Sequence, residues 1–438
     1  MNLICKGWLN LKPFCWGSRI MALAKNVPAV RFEGFSGAWC EHFLGAIADV
    51  KTGPFGSALH AKDYINDGYP IITTEHFKNG VLPQNKAAIP QVGTTDYLRL
   101  RSYVLEKGDI VFSRVGSVDI NAHVTDYQIG WLFSGRVLRV RTDLSIDSEY
   151  LHYELDTARA KKSVLVRAVG QTMPSINTEI LKNTPVFLPM EKKEQTRIGS
   201  YFHSLDTLIA KHQQKHDKLL KMKKALLEKM FPKQGASVPE VRFKGFSGEW
   251  EVTTLGEIAS IRRGLTYKPS DIVSEGVKVL RSSNIDVNIF VSKDDDVHVN
   301  ENAVNIKLID EGEILITSAN GSSHLVGKHA IVENLNQKSV HGGFMLVAST
   351  STPYFLNASM NTDWYKNFLA LYVAGGNGAI GNIKASDLSK QDILIPKNFE
   401  RNKISTFFQT LDTLITQHQT QIKKLSNLKQ ACLAAMFV

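Results

Sequence analysis

Two stretches of the chain step their apolar positions by alternating fours and threes. The first passes through Ile198, Phe202, Leu205, Ile209, His212, His216, Leu219, Lys223, Leu226 and Met230. The second repeats the same ten places at Ile404, Phe408, Leu411, Ile415, His418, Ile422, Leu425, Lys429, Cys432 and Met436. A 3.5-residue period sustained in this way predicts a coiled-coil seam on two long helices. At ~1.5 Å per residue, about 35 residues span roughly 50 Å, more than one domain core requires. His212 and His418 hold equivalent seam places, where a polar residue fixes register rather than binding a metal. Ahead of each helix the pattern changes. YPIITTEHF (69–77) and RVLRVR (136–141) are strand-like, whereas SEYLHYELDTARAKKSVL (148–165) is helical, so each preceding region is expected to be α/β or α+β.

The helices are not the only part written twice. VPAVRFEGFSGAW (27–39) returns as VPEVRFKGFSGEW (238–250), sharing Arg31/Arg242, Phe32/Phe243, Gly34/Gly245 and Trp39/Trp250, and the match continues through Leu44/Leu255 and Ile47/Ile258. EQTRIGSYFHSLDTLIAKHQ from Glu194 matches ERNKISTFFQTLDTLITQHQ from Glu400, and both copies end in MF, at Phe231 and Phe437. Between these ends the copies diverge while keeping their order. KGDIVFSRVGS (107–117) corresponds to EGEILITSANGS (311–322), each a glycine-acid turn into a β-branched run, and GQTMPSIN from Gly170 to GNGAIGNI from Gly376. The chain is a tandem duplication of one unit, with a repeat too long for a solenoid. Because the first helix must deliver the chain to a second domain and the second can only return, the helices are expected to pair antiparallel, with two similar domains related by a pseudo-twofold axis.

Length and composition add bounds. A chain of 438 residues accommodates two domains of ordinary size. With 43% hydrophobic and 21% charged residues it has the composition of a soluble globular protein. Cys5, Cys15, Cys40 and Cys432 form neither a disulfide framework nor a zinc-binding pair, which suits a reducing, cytoplasmic location. No apolar run is long enough for a membrane span. Lys6, Lys12, Pro13 and Arg19 interrupt any signal-peptide core, so residues 1–26 are expected to be a leader outside the fold, with Met21 as the true start. The formal charge of +10 is unevenly spread: zero over 27–190, +6 over 191–233, −4 over 234–395 and +4 over 396–438. The helices, not the domains, carry the excess, which weakens a simple equation of basicity with nucleic-acid binding.

Enzyme chemistry has little foothold. GSSHLVGKH from Gly321 has too many residues between its glycines for a phosphate loop and places His329 where Ser or Thr should follow the lysine. There is no NPPY-like methyltransferase motif, no glycine-rich cofactor loop, no nuclease-like arrangement of carboxylates and lysine, and no metal-spaced cluster. The residues alone leave open a scaffold that binds no nucleic acid. The phrase VPxVRFxGFSGxW with LGxIA, the segments FGSALHAKDY (55–64), GDIVFSRVGSVDIN (108–121) and GQTMPSIN (170–177), and the LDTLI helices ending in MF resemble the specificity subunit of a type I restriction-modification system, from about Val27 to Val438. The resemblance implies target recognition domains at 27–190 and 234–395 and spacer helices at 191–233 and 396–438. Each domain would read one half of a bipartite, asymmetric DNA site. The partners implied are two modification subunits carrying an adenine methyltransferase, and restriction subunits. No cofactor is expected on this chain, S-adenosylmethionine, ATP and Mg belonging to those partners.

Divergent surfaces on a kept scaffold suit two readers of different sequences. Arg or Lys on guanine, Asn or Gln on adenine and short hydroxyls are the side chains that read base edges. They select Ser57, His60, Lys62, Arg114, Ser117, Asn121, Gln171 and Thr172 in the first domain, and Arg263, Tyr267, Lys268, Arg281, Asn284, Asn320, His324, Lys328 and Asn377 in the second. Residues common to both copies, such as Arg31/Arg242 and Trp39/Trp250, cannot distinguish two half-sites and are expected to be structural. The neutral to acidic domain totals further imply that the cations are asymmetrically placed and that partners share the grip on phosphates.

Overall fold

The predicted seams lie on two continuous 39-residue helices, Lys192–Met230 and Asn398–Met436. Of the ten seam places on each, every one is buried or half-buried, while most of the intervening positions are exposed. The computed structural model describes residues 26–54, 63–286, 288–373 and 382–438. Residues 1–25, together with Ser57, His60, Lys62 and Asn377, lie outside the described residues.

The chain forms two compact units, one made of residues up to His212 together with Gln421–Val438, the other of Gln213–Thr420. Each unit therefore takes the start of one long helix and the end of the other. In the first, four antiparallel strands run in the order Ala48–Thr52, Val137–Thr142, Ile110–Ser113, Asn121–His123. The turn into Ile110 needs Gly108, whose φ of +88° suits a residue without a Cβ. A second small sheet joins Tyr64–Ile65, Gln91–Val92, Tyr69–Ile72 and Leu132–Phe133, its last pair parallel. Antiparallel pairing of Cys40–Phe43 with Pro185–Leu188 closes the domain. These are α+β proportions, the less specific of the two expected classes being settled by the predominance of antiparallel pairs. SEYLHYELDTARAKKSVL forms two helices, Ser148–Asp156 and Ala158–Arg167, because extended Thr157 caps the second by accepting from the Ala160 amide.

The second unit repeats each sheet. Its order is Ser260–Arg263, Met345–Ser349, Ile314–Thr317, His329–Ile331, and Val277–Leu280 pairs in parallel with Ser339–His341.

The repeated phrase is a clamp in both units. Arg31 donates from Nε and Nη2 to the two carboxylate oxygens of Glu194, both at 2.7 Å, and from Nη1 to the Gly37 carbonyl. Arg242 treats Glu400 alike, at 2.6 and 2.7 Å, and reaches the Gly248 carbonyl. Trp39 packs edge-on against Tyr150 and Phe437, and Trp250 against Phe231. The MF ends thus anchor cores: Phe437 sits with Trp39 and Phe202 in the first unit, Phe231 with Trp250, Phe355 and Phe408 in the second. In the first unit the helical segments run antiparallel, Lys429 Nζ donating to Asp206 at 2.7 Å and the Tyr201 hydroxyl lying 3.5 Å from Cys432 Sγ. The same pair recurs in the second as Lys223 and Asp412, 2.5 Å apart. No described helix is long and apolar enough to cross a membrane.

Two expectations follow. Glu194 and Glu400 are 2% and 1% exposed, so Arg242→Met, which strands a buried carboxylate, should cost about 3–5 kcal/mol by urea denaturation, and Arg242→Met with Glu400→Met should recover most of it. Burial holds the imidazoles of His123, His329 and His341 down at about 4. The unfolded chain, with an ordinary imidazole near 6.5, takes up protons first as pH falls, so the histidines' contribution is full above pH 7 and declines through the window from 6.5 toward 4, opposed in part by Glu154, whose carboxyl burial holds up at about 7. At pH 5.5 the loss should be on the order of 1 kcal/mol per histidine. Denaturation midpoints unchanged between pH 7 and 5.5 would contradict this.

Candidate nucleic-acid interface

In the second unit four loops end beside one another around a cleft of about 620 Å³. They follow the strands Ser260–Arg263, Val277–Leu280, Ile314–Thr317 and Ser339–His341. Backbone bonds hold them: the Leu265 amide donates to the His341 carbonyl at 2.7 Å, Gly342 to Leu280 at 2.9 Å, and Ser318 to Phe344 at 2.9 Å. Gly264 makes the approach possible, since a Cβ there would lie 1.9 Å from the Gly342 oxygen.

Of the residues expected from sequence, Tyr267, Arg281 and Asn320 line this cleft. Asn320 donates to the Ser282 hydroxyl at 3.0 Å, joining two of the loops. Arg281 is half-buried, and its Nε is enclosed without a hydrogen-bond partner among the described residues. Lys268 and His324 are exposed and Lys328 half-exposed on the adjoining loops, whereas Arg263 is exposed at a strand end and does not line the cleft. Asn284 is placed differently. It is fully buried, donates to both oxygens of Asp296 at 2.9 and 2.8 Å, and accepts from the Arg281 amide at 2.7 Å. Its amide holds the loop from inside and is not presented at the surface.

The first unit builds the same loop ends. The Ser134 amide donates to Ile72 at 2.8 Å and Arg114 to Arg136 at 3.0 Å, and a Cβ on Gly53 would meet the Ser134 oxygen at 2.2 Å. Ser117, Gln171 and Thr172 are exposed together, because the Gly116 amide bonds to Pro174 at 2.8 Å and Val115 bridges Ser175. Arg114 turns inward and donates to the Gly135 carbonyl at 2.9 Å and the Ile176 carbonyl at 3.3 Å. Asn121 is 2% exposed, its Oδ1 2.6 Å from His152 Nδ1, so it belongs to the interior. Exposed Arg136 was not among the sequence candidates; neither was Phe344, which is 74% exposed at the corresponding loop. The signal available was the aligned SGRV and GGFM, each a short turn that shares Gly135 or Gly343 and differs in the residue just before a strand. Burial and Asp63 raise the Tyr64 hydroxyl pKa, and the Arg136 guanidinium opposes them, which puts Arg136 beside that strand.

No group of three or more His, Cys, Asp or Glu among the described residues is arranged to hold a metal ion. The cleft brings the side chains of Tyr267, Asn320 and Arg281 beside the exposed Phe344 ring, with the Arg281 Nε itself enclosed.

Residues 37–221 and 247–427 match the family described as type I restriction modification DNA specificity domain. The chain belongs to this specificity family. It is 25% identical over 236 residues to the type I restriction enzyme MjaVIII specificity subunit of Methanocaldococcus jannaschii, covering 52% of this chain and 51% of that protein. It is 24% identical over 190 residues to the EcoKI specificity subunit of Escherichia coli, covering 41% and 40%. The chain spans about half the length of the curated relatives it matches. The solved S subunit of a type I restriction-modification system from M. genitalium shares the fold, with TM-score 0.65 at 14% identity over 94% of this chain and 99% of that one.

Within this specificity-family chain, interior and surface candidates should separate by stability. Asn284→Ala leaves buried Asp296 short of its donor and should cost about 2–3 kcal/mol. Phe344→Ala, at an exposed loop, should stay within about 0.5 kcal/mol of the parent. Equal denaturation midpoints for the two variants would refute the assignment of Asn284 to the interior.

Proposed function

We propose that the chain is the non-catalytic DNA-recognition subunit of a type I restriction-modification complex, reading a bipartite, asymmetric duplex site and directing adenine methylation and restriction by partner subunits. The observation that carries this reading is a twofold construction of one loop cluster. Matching backbone bonds hold the loop ends in both units, while the side chains they present differ. Such an arrangement recognises two different sequences with one scaffold. Identical surfaces would instead favour a palindromic site.

The long helices act as the spacer and as the docking surface for two modification subunits, with restriction subunits joining that core. Each helix of 39 residues is about 58 Å long, and the segments that carry them, 191–233 and 396–438, have net charges of +6 and +4. Partners supply the S-adenosylmethionine, ATP and Mg chemistry. The complex works in the cytoplasm, where the chromosome is. The surface residues Ser117, Gln171, Thr172, Tyr267, Lys268, Arg281, Asn320, His324 and Lys328 are the ones offered to DNA, with Arg263 at the periphery.

The test is domain exchange within the assembled complex. Replacing residues 54–185 by the corresponding segment of a relative should alter one half of the methylated motif and leave the other unchanged, as read by sequencing methylated DNA from cells that also carry the modification subunit. Changes in both halves would count against independent readers, and a wild-type complex that methylates no bipartite motif would count against DNA recognition itself.

A further inference from the structure

The two loop clusters align residue by residue, which shows where their chemistry diverges. Ile72 pairs in parallel with Phe133 as Leu280 pairs with His341. The residues that follow are therefore equivalent: Thr73 with Arg281, and Arg136 with Phe344. Further contacts support the match. The Thr73 amide donates to His76 Nδ1 at 3.0 Å, where the Arg281 amide donates to Asn284 Oδ1 at 2.7 Å. The Arg136 carbonyl accepts from Arg114, where the Phe344 carbonyl accepts from Ser318.

Each domain thus carries one arginine at this pair of positions, but from opposite loops. In the second domain Arg281 and Phe344 both line the cleft, with the Arg281 Nε enclosed and unpaired and the Phe344 ring 74% exposed. In the first, Arg136 is exposed and donates no hydrogen bond among the described residues, while short Thr73 takes the other position, its hydroxyl 3.2 Å from His76. Arg114 is occupied by two carbonyls and cannot serve in its place. A guanidinium fork matches guanine O6 and N7, and an aromatic ring makes an apolar contact with a thymine methyl.

We propose that Arg136 and Arg281 are the guanine-reading arginines of the first and second half-sites, and that Phe344 contacts a thymine methyl where the first domain places Arg136. The inference rests on the DNA-recognition reading above and adds the bases and the residues. Because the two arginines come from opposite loops of equivalent clusters, the two half-sites carry their guanines at non-equivalent positions.

The experiment expresses the full chain with its modification subunit and sequences the methylated motif. Arg281→Ala should relax discrimination at one guanine of the second half-site by roughly tenfold to a hundredfold and leave the first half-site intact. Arg136→Ala should do the same in the first half-site, at a position that is not the counterpart. Phe344→Ala should relax a thymine in the second. Arg281→Lys keeps the charge but lacks the fork, so it should relax the same guanine while binding non-specific duplex as the parent does. That result separates base reading from a structural or phosphate-binding role. Alanine variants that fold as the parent does, by thermal unfolding, and retain the parental motif at both arginines would overturn the proposal while leaving DNA recognition standing. Relaxation at counterpart positions would overturn the exchange of loops. A parental complex without any bipartite motif would remove the reading on which both rest.

Discussion

A buried carboxylate at the start of each long helix is the constraint from which the rest of the architecture follows. Glu194 and Glu400 are almost completely removed from water, and a carboxylate so placed needs a partner with more than one donor. Arginine meets both oxygens with a single rigid fork and has a third nitrogen left for the chain's own turn. Through Arg31 and Arg242 that third nitrogen reaches Gly37 and Gly248, both at positive φ. One side chain therefore fixes the first turn of a helix and the phrase that opens a domain. Lysine, with a point charge, could not hold the two together in the same geometry.

The duplicated ends make sense as halves of two closed cores. Phe437 and Phe231 finish the hydrophobic clusters built around Trp39 and Trp250. Asp206 with Lys429 and Asp412 with Lys223 set the register in which those ends arrive. The start and the end of each helix must therefore be kept for different units. This is why LDTLI and the terminal MF survive in both copies while the loops between them do not.

The seam was legible in sequence because a 3.5-residue period is local information, and the same holds for glycine-acid turns leading into strands. The structural role of Arg31 and Trp39 was also legible, since duplication supplies an internal comparison. What the sequence concealed was direction. Asn121 and Asn284 have the side chains of adenine readers, yet both point inward, and an asparagine that satisfies a buried aspartate has the same letter as one that faces a groove. Arg114 was equally ambiguous until its carbonyl partners were seen. Arg136 and Phe344 escaped notice for the opposite reason. Neither belongs to a motif, and only the strand pairing that puts them at equivalent loop ends makes their difference informative.

The domain charge totals raise the last question, since a duplex carries a negative charge on every phosphate. A total does not say where its charges sit. In the first unit Arg31, Arg139, Arg141 and Arg159 are each held by a carboxylate, and in the second Arg242, Arg262 and Lys278 are. Such pairs contribute little to the field outside. Arg136 and Arg281 form no ion pair among the described residues, so their charge remains directed at what approaches the loops. A domain with zero or negative net charge can then present a locally positive recognition edge. The first long helix, by contrast, carries its basic excess as a net +6 over 191–233. Basic excess on the helices and differing side chains on the loops are thus kept on separate parts of the chain.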